Sequence, residues 1–107
     1  MDKVLSMIGM SARAGKVLSG EFSVEKAVKT FKAYLVIVAG DASDNTKKKF
    51  RNMCEFYEVP LIEYSNKDEL GGAIGRELRS SVAITDEGLA NAVVKKWQVV
   101  TNLMKEE

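Results

Sequence analysis

The residues best suited to chemistry lie between Arg13 and Lys32. Arg13-Ala-Gly-Lys16 sets two cations on either side of a turn, and Ser19-Gly20-Glu21-Phe22-Ser23-Val-Glu-Lys26 follows. A glycine at a helix start lets a ligand approach the backbone closely. The free N–H groups of the first turn favour an anion, and Lys26 sits close enough to reach over them. Lys26, Lys29 and Lys32 recur every three residues and continue as a basic ridge. The chemistry these types support is phosphate reception, with Gly20, Glu21 and Phe22 offering backbone N–H groups. An ordinary capped helix would carry the same residues, so both readings stand at this point.

Other candidates are weaker. Gly71-Gly72-Ala73-Ile74-Gly75 is not a G-x-G-x-x-G fingerprint and does not follow a strand; close helix packing and a C-terminal cap explain it as well. Asp41 and Asp44 follow an apolar run, but no third ligand joins them, and Asp44 reads better as a helix cap. Lys47-Lys48-Lys49 could touch phosphate or form a solvated face. The chain has no His, which excludes Ser–His and Cys–His catalysis and every His-ligated metal site. Its one cysteine, Cys54, excludes an internal disulfide and a Cys-based zinc site. We read no catalytic residue, no metal ligand set and no cofactor motif.

The elements that must position the basic segment alternate. Val4, Leu5, Ile8 and Ala12 mark an amphipathic helix over about residues 3–14, ended by Gly15. Val17-Leu18 is a doubtful short strand. Ser23 is the expected N-cap of a second helix, with Val24, Ala27, Val28 and Phe31 on its apolar face. Tyr34 to Ala39 is continuous and β-branched, a strand buried on both faces. Ser43 or Asp44 caps a third helix over about residues 46–57, on which Phe50, Met53, Cys54 and Tyr57 face inward. Cys54 is therefore a small core side chain. Leu61 to Tyr64 is the next strand. Asn66 with Glu69 opens a short helix in capping-box fashion, and Gly75 suits its C′ position. Val82 to Ile84 is the last strand. Thr85 is the expected cap of the final helix, whose apolar stripe runs through Ala90, Val93, Trp97, Val100 and Met104. Such alternation implies a largely parallel sheet with helices on both faces, a three-layer α/β/α sandwich.

With 107 residues, 46% apolar and 29% charged, the composition is that of one globular domain, residues 1–107, with the final helix extended over about 95–107. The net charge of +1 conceals an asymmetry: residues 1–34 carry +3, residues 35–56 carry +1, and residues 57–107 carry −3. One basic face can therefore attract phosphate although the whole chain is near neutral. The longest apolar run is too short for a bilayer, and from Met1-Asp2-Lys3, without a basic stretch leading into an apolar one, we expect no signal peptide. We expect no membrane partner and a cytoplasmic location.

Order and spacing resemble the kink-turn-binding ribosomal protein superfamily. The residues concerned are Ser19-Gly20, Lys26-Ala27-Val28, the Leu-Val-Ile-Val-Ala-Gly-Asp-Ala-Ser run over 35–43, Glu69-Leu70-Gly71, Ile74-Gly75 and Val82 to Gly88. Ala12 to Val17, Asn45-Thr46 and Lys48-Lys49 look most like its bacterial YlxQ-type branch. The resemblance covers about residues 3–95. It implies a four-stranded mixed sheet with one antiparallel strand. It also implies a non-catalytic RNA-binding protein, ribosome-associated or acting on other structured RNA, with ribosomal RNA among the candidates. Members grip a bent internal loop in which a bulge precedes tandem sheared G·A pairs. The start of the second helix enters the groove, and the loop before the last strand covers the bulged nucleotide.

Carried over by position, Gly20 matches the glycine that admits RNA and Lys26 the lysine at the G·A pairs. The usual Asn and Glu or Gln fall on Phe22 and Ser23. Asn or Glu hydrogen-bonds guanine edges. Phe22 can only stack on a base or pack as a staple against Ala27, and Ser23 offers one short hydroxyl. Arg79 and Ser80 lie in the loop before the last strand, where Arg79 can meet phosphate. Arg13, Lys16, Lys29 and Lys32 complete the expected phosphate contacts. A rival reading is a protein-interaction module: Trp97, Val99 and Leu103 would meet a partner or a second copy if Val99 and Leu103 stay exposed. Trp97 could equally just close the core.

Overall fold

The computed structural model describes residues 2–105. The elements are α1 (Lys3–Arg13), β1 (Val17–Ser19), α2 (Glu21–Lys29), β2 (Leu35–Val38), α3 (Asp44–Tyr57), β3 (Leu61–Glu63), α4 (Lys67–Ala73), β4 (Ser81–Ile84) and α5 (Glu87–Lys105). Met1, Glu106, Glu107 and the side chain of Met104, where the expected apolar stripe ends, lie outside the description.

The strands form one sheet in the order β1-β4-β2-β3. β2 and β3 are parallel, while β4 runs antiparallel to both β2 and β1. The doubtful strand at Val17 is real, an edge strand pairing Val17 with Ile84 and Ser19 with Val82. Alternation alone suggested mostly parallel pairing, and that is corrected. β4 returns against the others, as the family resemblance implied.

Strand residues divide by parity. Leu35, Ile37, Val82 and Ile84 point to one face, where Val4, Leu5, Ile8, Leu70, Ala90 and Val93 of α1, α4 and α5 bury them. Val36, Val38 and Ala83 point to the other, against Val24, Val28 and Phe50 of α2 and α3. The result is the expected three-layer sandwich. Cys54 is buried there, and desolvation pushes its thiol up to about 11, so it is an inert core group. Trp97 is half-buried against the first cluster and closes it.

Several helix ends differ from expectation by a residue or more. Ser43, not Asp44, caps α3 by accepting from the Thr46 N–H at 3.2 Å. Asp86, not Thr85, caps α5 by accepting from Leu89 at 2.9 Å. Asp41 accepts instead from the Lys67 N–H at 2.8 Å, tying the loop after β2 to the start of α4. The Asn66–Glu69 start of α4 is as expected, with Asn66 accepting from the Glu69 N–H at 2.8 Å. Phe31 is not a core residue. α2 stops at Lys29, and Phe31 sits beyond it at φ 59, 74% exposed.

Gly71 shows why the glycine stretch exists. A Cβ there would fall 1.5 Å from the Glu77 carbonyl oxygen, so only glycine lets the loop before β4 lie across α4. Arg79 donates its backbone N–H to Lys67 at 3.0 Å, fixing that loop further.

Candidate nucleic-acid interface

α2 begins at the end of the sheet where β1 stops and β4 starts. Ser23 does not cap it. The N-cap is Gly20, at φ 94 and ψ 150, and no side chain hydrogen-bonds the first turn. That conformation is essentially restricted to glycine. The Gly20 N–H is not free for a ligand, contrary to expectation: it donates to the Ser81 carbonyl at 3.1 Å, which anchors the turn to β4. By contrast, the side chains of Asp2, Ser43, Asn66 and Asp86 cap α1, α3, α4 and α5. Helical geometry leaves the N–H groups of Glu21, Phe22 and Ser23 without partners inside the helix. Open space lies within 4 Å of where a Gly20 side chain would stand.

Two clefts meet at this point. One is lined by Ser19, Gly20, Glu21, Thr46, Leu78, Arg79 and Ser80. The other runs outside edge strand β1 and is lined by Ser19, Ser23, Ile74, Arg76 and Arg79 among others. Arg79 stands between them. Its Nε donates to Ser19 Oγ at 3.1 Å and its Nη1 to the Leu78 carbonyl at 2.9 Å. Two of five guanidinium N–H donors are thus engaged, and the group is held in place with donors to spare.

The α2 surface separates its charges. Glu25 lies 2.6 Å from Lys49 of α3, and Glu21 lies 3.9 Å from the same ammonium. Hydrogen bonds from Lys49 and Lys29 hold the Glu25 carboxyl down at about 2. Both acids of α2 are therefore turned toward α3 and neutralised. Lys26 stands four residues after Phe22 and three after Ser23, so it neighbours each of them on the helix surface. Phe22 is 82% exposed, so it does not pack as a staple against Ala27. Lys26 is exposed and forms no ion pair among the described residues.

Not all the expected residues gather here. Gly20, Glu21, Ser23, Arg79 and Ser80 line the two clefts. Phe22 is exposed in the first turn of α2 without lining either, and Lys26 lies in the last turn of that short helix rather than over its first. Ser80 is half-buried, its carbonyl accepting from Ala39 at 2.9 Å. Lys29 is engaged by Glu25 at 2.9 Å. Lys16 and Lys32 belong to the opposite end of the sheet, where Thr85 donates to the Lys16 carbonyl and Tyr34 to that of Ile84. The three lysines are thus no continuous helical ridge, because the helix ends at Lys29. Arg13 lines a neighbouring cleft with Gly72 to Gly75, which shares Ala12 and Ile74 with the edge-strand cleft. Sequence reasoning missed Arg76. The only signal was its spacing three residues before Arg79 in the same loop.

Among the described residues, no group of three or more His, Cys, Asp or Glu could hold a metal ion. No described helix is long and apolar enough to cross a membrane.

The sandwich, with one antiparallel strand and a helix opening beside the loop before the last strand, defines a small ribosomal-protein-type α/β/α module. Residues 2–94 match the Ribosomal protein L7Ae/L30e/S12e/Gadd45 family, and the chain belongs to it. The chain is 42% identical over 88 residues to the RNA-binding protein YlxQ of Bacillus subtilis (strain 168), covering 82% of this chain and 88% of that one. The large ribosomal subunit protein eL8 of Thermoplasma acidophilum is 31% identical over 88 residues, covering 81% and 73%. Among solved structures, a protein of unknown function from Bacillus halodurans C superposes with a TM-score of 0.87 at 36% identity, covering 90% of this chain and 97% of that one. The Giardia lamblia 15.5kD RNA binding protein superposes at 0.76 and 27% identity, covering 92% and 85%.

Proposed function

We propose that this chain is a non-catalytic RNA-binding protein that holds a sharply bent RNA at the open start of α2. The observation that carries the reading is the absence of a side-chain cap on α2, at a glycine that shares its cleft with Arg79. An uncapped first turn attracts an anion and costs stability unless something satisfies it. A phosphate of a bent strand supplies the acceptor. Lys26, Arg76 and Arg79 then supply charge-assisted contacts, and Phe22 offers a face on which an unpaired base stacks. Relatives whose names include RNA binding support the ligand class. The protein binds only the bent form, so it shifts a mostly extended RNA toward it. Kink-turn RNA, ribosomal RNA included, is the substrate class we favour.

Filter binding with a kink-turn RNA tests this. Lys26→Ala is expected to weaken binding by about 1–3 kcal/mol, the range for a hydrogen bond to a charged group. Unchanged affinity would remove the assigned face. A second reading rests on Val99 and Leu103, which are 58% and 60% exposed on the outer side of α5. There a protein partner is proposed, and Leu103→Lys should abolish its binding without changing RNA affinity.

A further inference from the structure

Four helices close with one backbone device. After α1, Gly15 donates to Ala12 at 3.0 Å and Lys16 to Ser11 at 3.0 Å; after α4, Gly75 donates to Gly72 at 3.2 Å and Arg76 to Gly71 at 2.8 Å. This is Schellman geometry, whose left-handed residue is usually glycine because glycine has no Cβ to clash. α2 and α3 close the same way with side chains in that place. Phe31, at φ 59, donates to Val28 at 3.2 Å while Lys32 donates to Ala27 at 2.9 Å. Glu58, at φ 58, donates to Glu55 at 3.3 Å while Val59 donates to Cys54 at 2.8 Å.

Both non-glycine closures fall at one end of the molecule, away from Gly20. There Phe31 meets Tyr57 edge-on with centroids 5.8 Å apart, and Tyr57 meets Phe56 at 5.0 Å. Phe31 and Phe56 are 74% and 79% exposed. A strained backbone thus displays an aromatic row in water, where a glycine would close the helix at lower cost. Chain neighbours bring opposite charges to the row. Lys32 follows Phe31 and Glu58 follows Tyr57; both are exposed, and neither forms an ion pair among the described residues. Glu55, which precedes Phe56, is exposed as well. Such acids repel phosphate, so the row suits RNA poorly. A surface that carries both charges can match itself after a two-fold rotation, each cation meeting the other copy's acid.

We propose that the shared end of α2 and α3 is an interface for a second copy of this chain. The aromatic rows stack across a two-fold axis, and Lys32 of each copy pairs with Glu58 of the other. Three rings cover much less than the roughly 800 Å² per partner of a stable dimer, so the association is reversible. Both copies keep the start of α2 open, which gives the dimer two widely separated RNA sites.

Sedimentation equilibrium of the full chain from about 10 μM to about 1 mM reads the association. Phe31→Gly should weaken it at least about tenfold while raising the melting temperature, because strain leaves with the ring. Undiminished association, or a lower melting temperature, would overturn the proposal. Charge exchange is the sharper arm. The Lys32→Glu chain carries an acid at both positions, 32 and 58, and the Glu58→Lys chain carries a base at both. Each alone should associate more weakly than the parent, and their equimolar mixture should recover. A mixture that does no better than its parts overturns the proposal, as does a parent chain monomeric at every concentration. The same holds if the variants change affinity for a kink-turn RNA while the chain stays monomeric, or if only Leu103→Lys disrupts association.

Discussion

At Gly20 the backbone occupies φ 94 and ψ 150, where a Cβ is strained although no atom stands within 4 Å of it. The penalty for Gly20→Ala is therefore conformational rather than steric, about 1–3 kcal/mol. A lower denaturant midpoint with an unchanged slope would register it, and RNA affinity should fall as the first turn of α2 shifts. Phe22 poses a different question. Its ring is exposed and has no role in the core, so substitution there is free of folding cost. Phe22→Asn introduces a group able to hydrogen-bond a purine edge. Competition between a kink-turn RNA and its G·C counterpart should then favour the G·A form more strongly than in the parent. Equal discrimination before and after would mean that position 22 does not face the sheared pairs.

Between elements, α2 is held to α3 by Glu25 and Lys49 at 2.6 Å. The Glu25 carboxyl sits at about 2 against an ordinary 4.5, first because of the hydrogen bond from Lys49. A lowered carboxylate binds its proton less readily folded than unfolded. Its contribution is therefore present above about pH 4.5 and is lost as pH falls toward 2. Carboxyl titration by NMR should place Glu25 near the bottom of the acid range, and Lys49→Met should move it upward and flatten the acid limb of unfolding. This cross-helix tie was invisible in the sequence, because it joins residues by packing rather than by periodicity. The elements themselves were legible: apolar residues at helical spacing found all five helices, and the β-branched run found β2. Their ends were not. Ser43 and Asp44, or Thr85 and Asp86, are equally good caps by type, and one residue of backbone phase decides between them. Phe31 continued the i+7 stripe of α2, yet the chain turns left-handed there and carries the ring outward. Strand direction was equally hidden, since a helical crossover and a reversal look alike in a pattern of alternating elements. The family resemblance supplied it.

The whole molecule is polarised although its net charge is only +1. α2 and α3 both start at the end that carries Gly20 and Arg79, and both finish at the end that carries Phe31 and Tyr57. Pairing of Glu21 and Glu25 with Lys49 removes two acids from the first end without consuming Lys26, Arg76 or Arg79. Glu77, exposed between Arg76 and Arg79, is the acid that remains in that loop, so cations outnumber acids there although the whole chain is near neutral. That local excess should govern association with RNA more than pI does, because screening confines distant charges within about 8–10 Å at moderate salt. Three phosphate contacts would give a logarithmic salt dependence of affinity with a slope of about −2 to −3. Arg76→Ala should flatten that slope by about one contact, while Lys16→Ala at the far end should leave it alone. Binding titrations over a series of potassium concentrations measure both. An identical change from the two substitutions would mean that RNA reaches both ends of the sheet rather than only the start of α2.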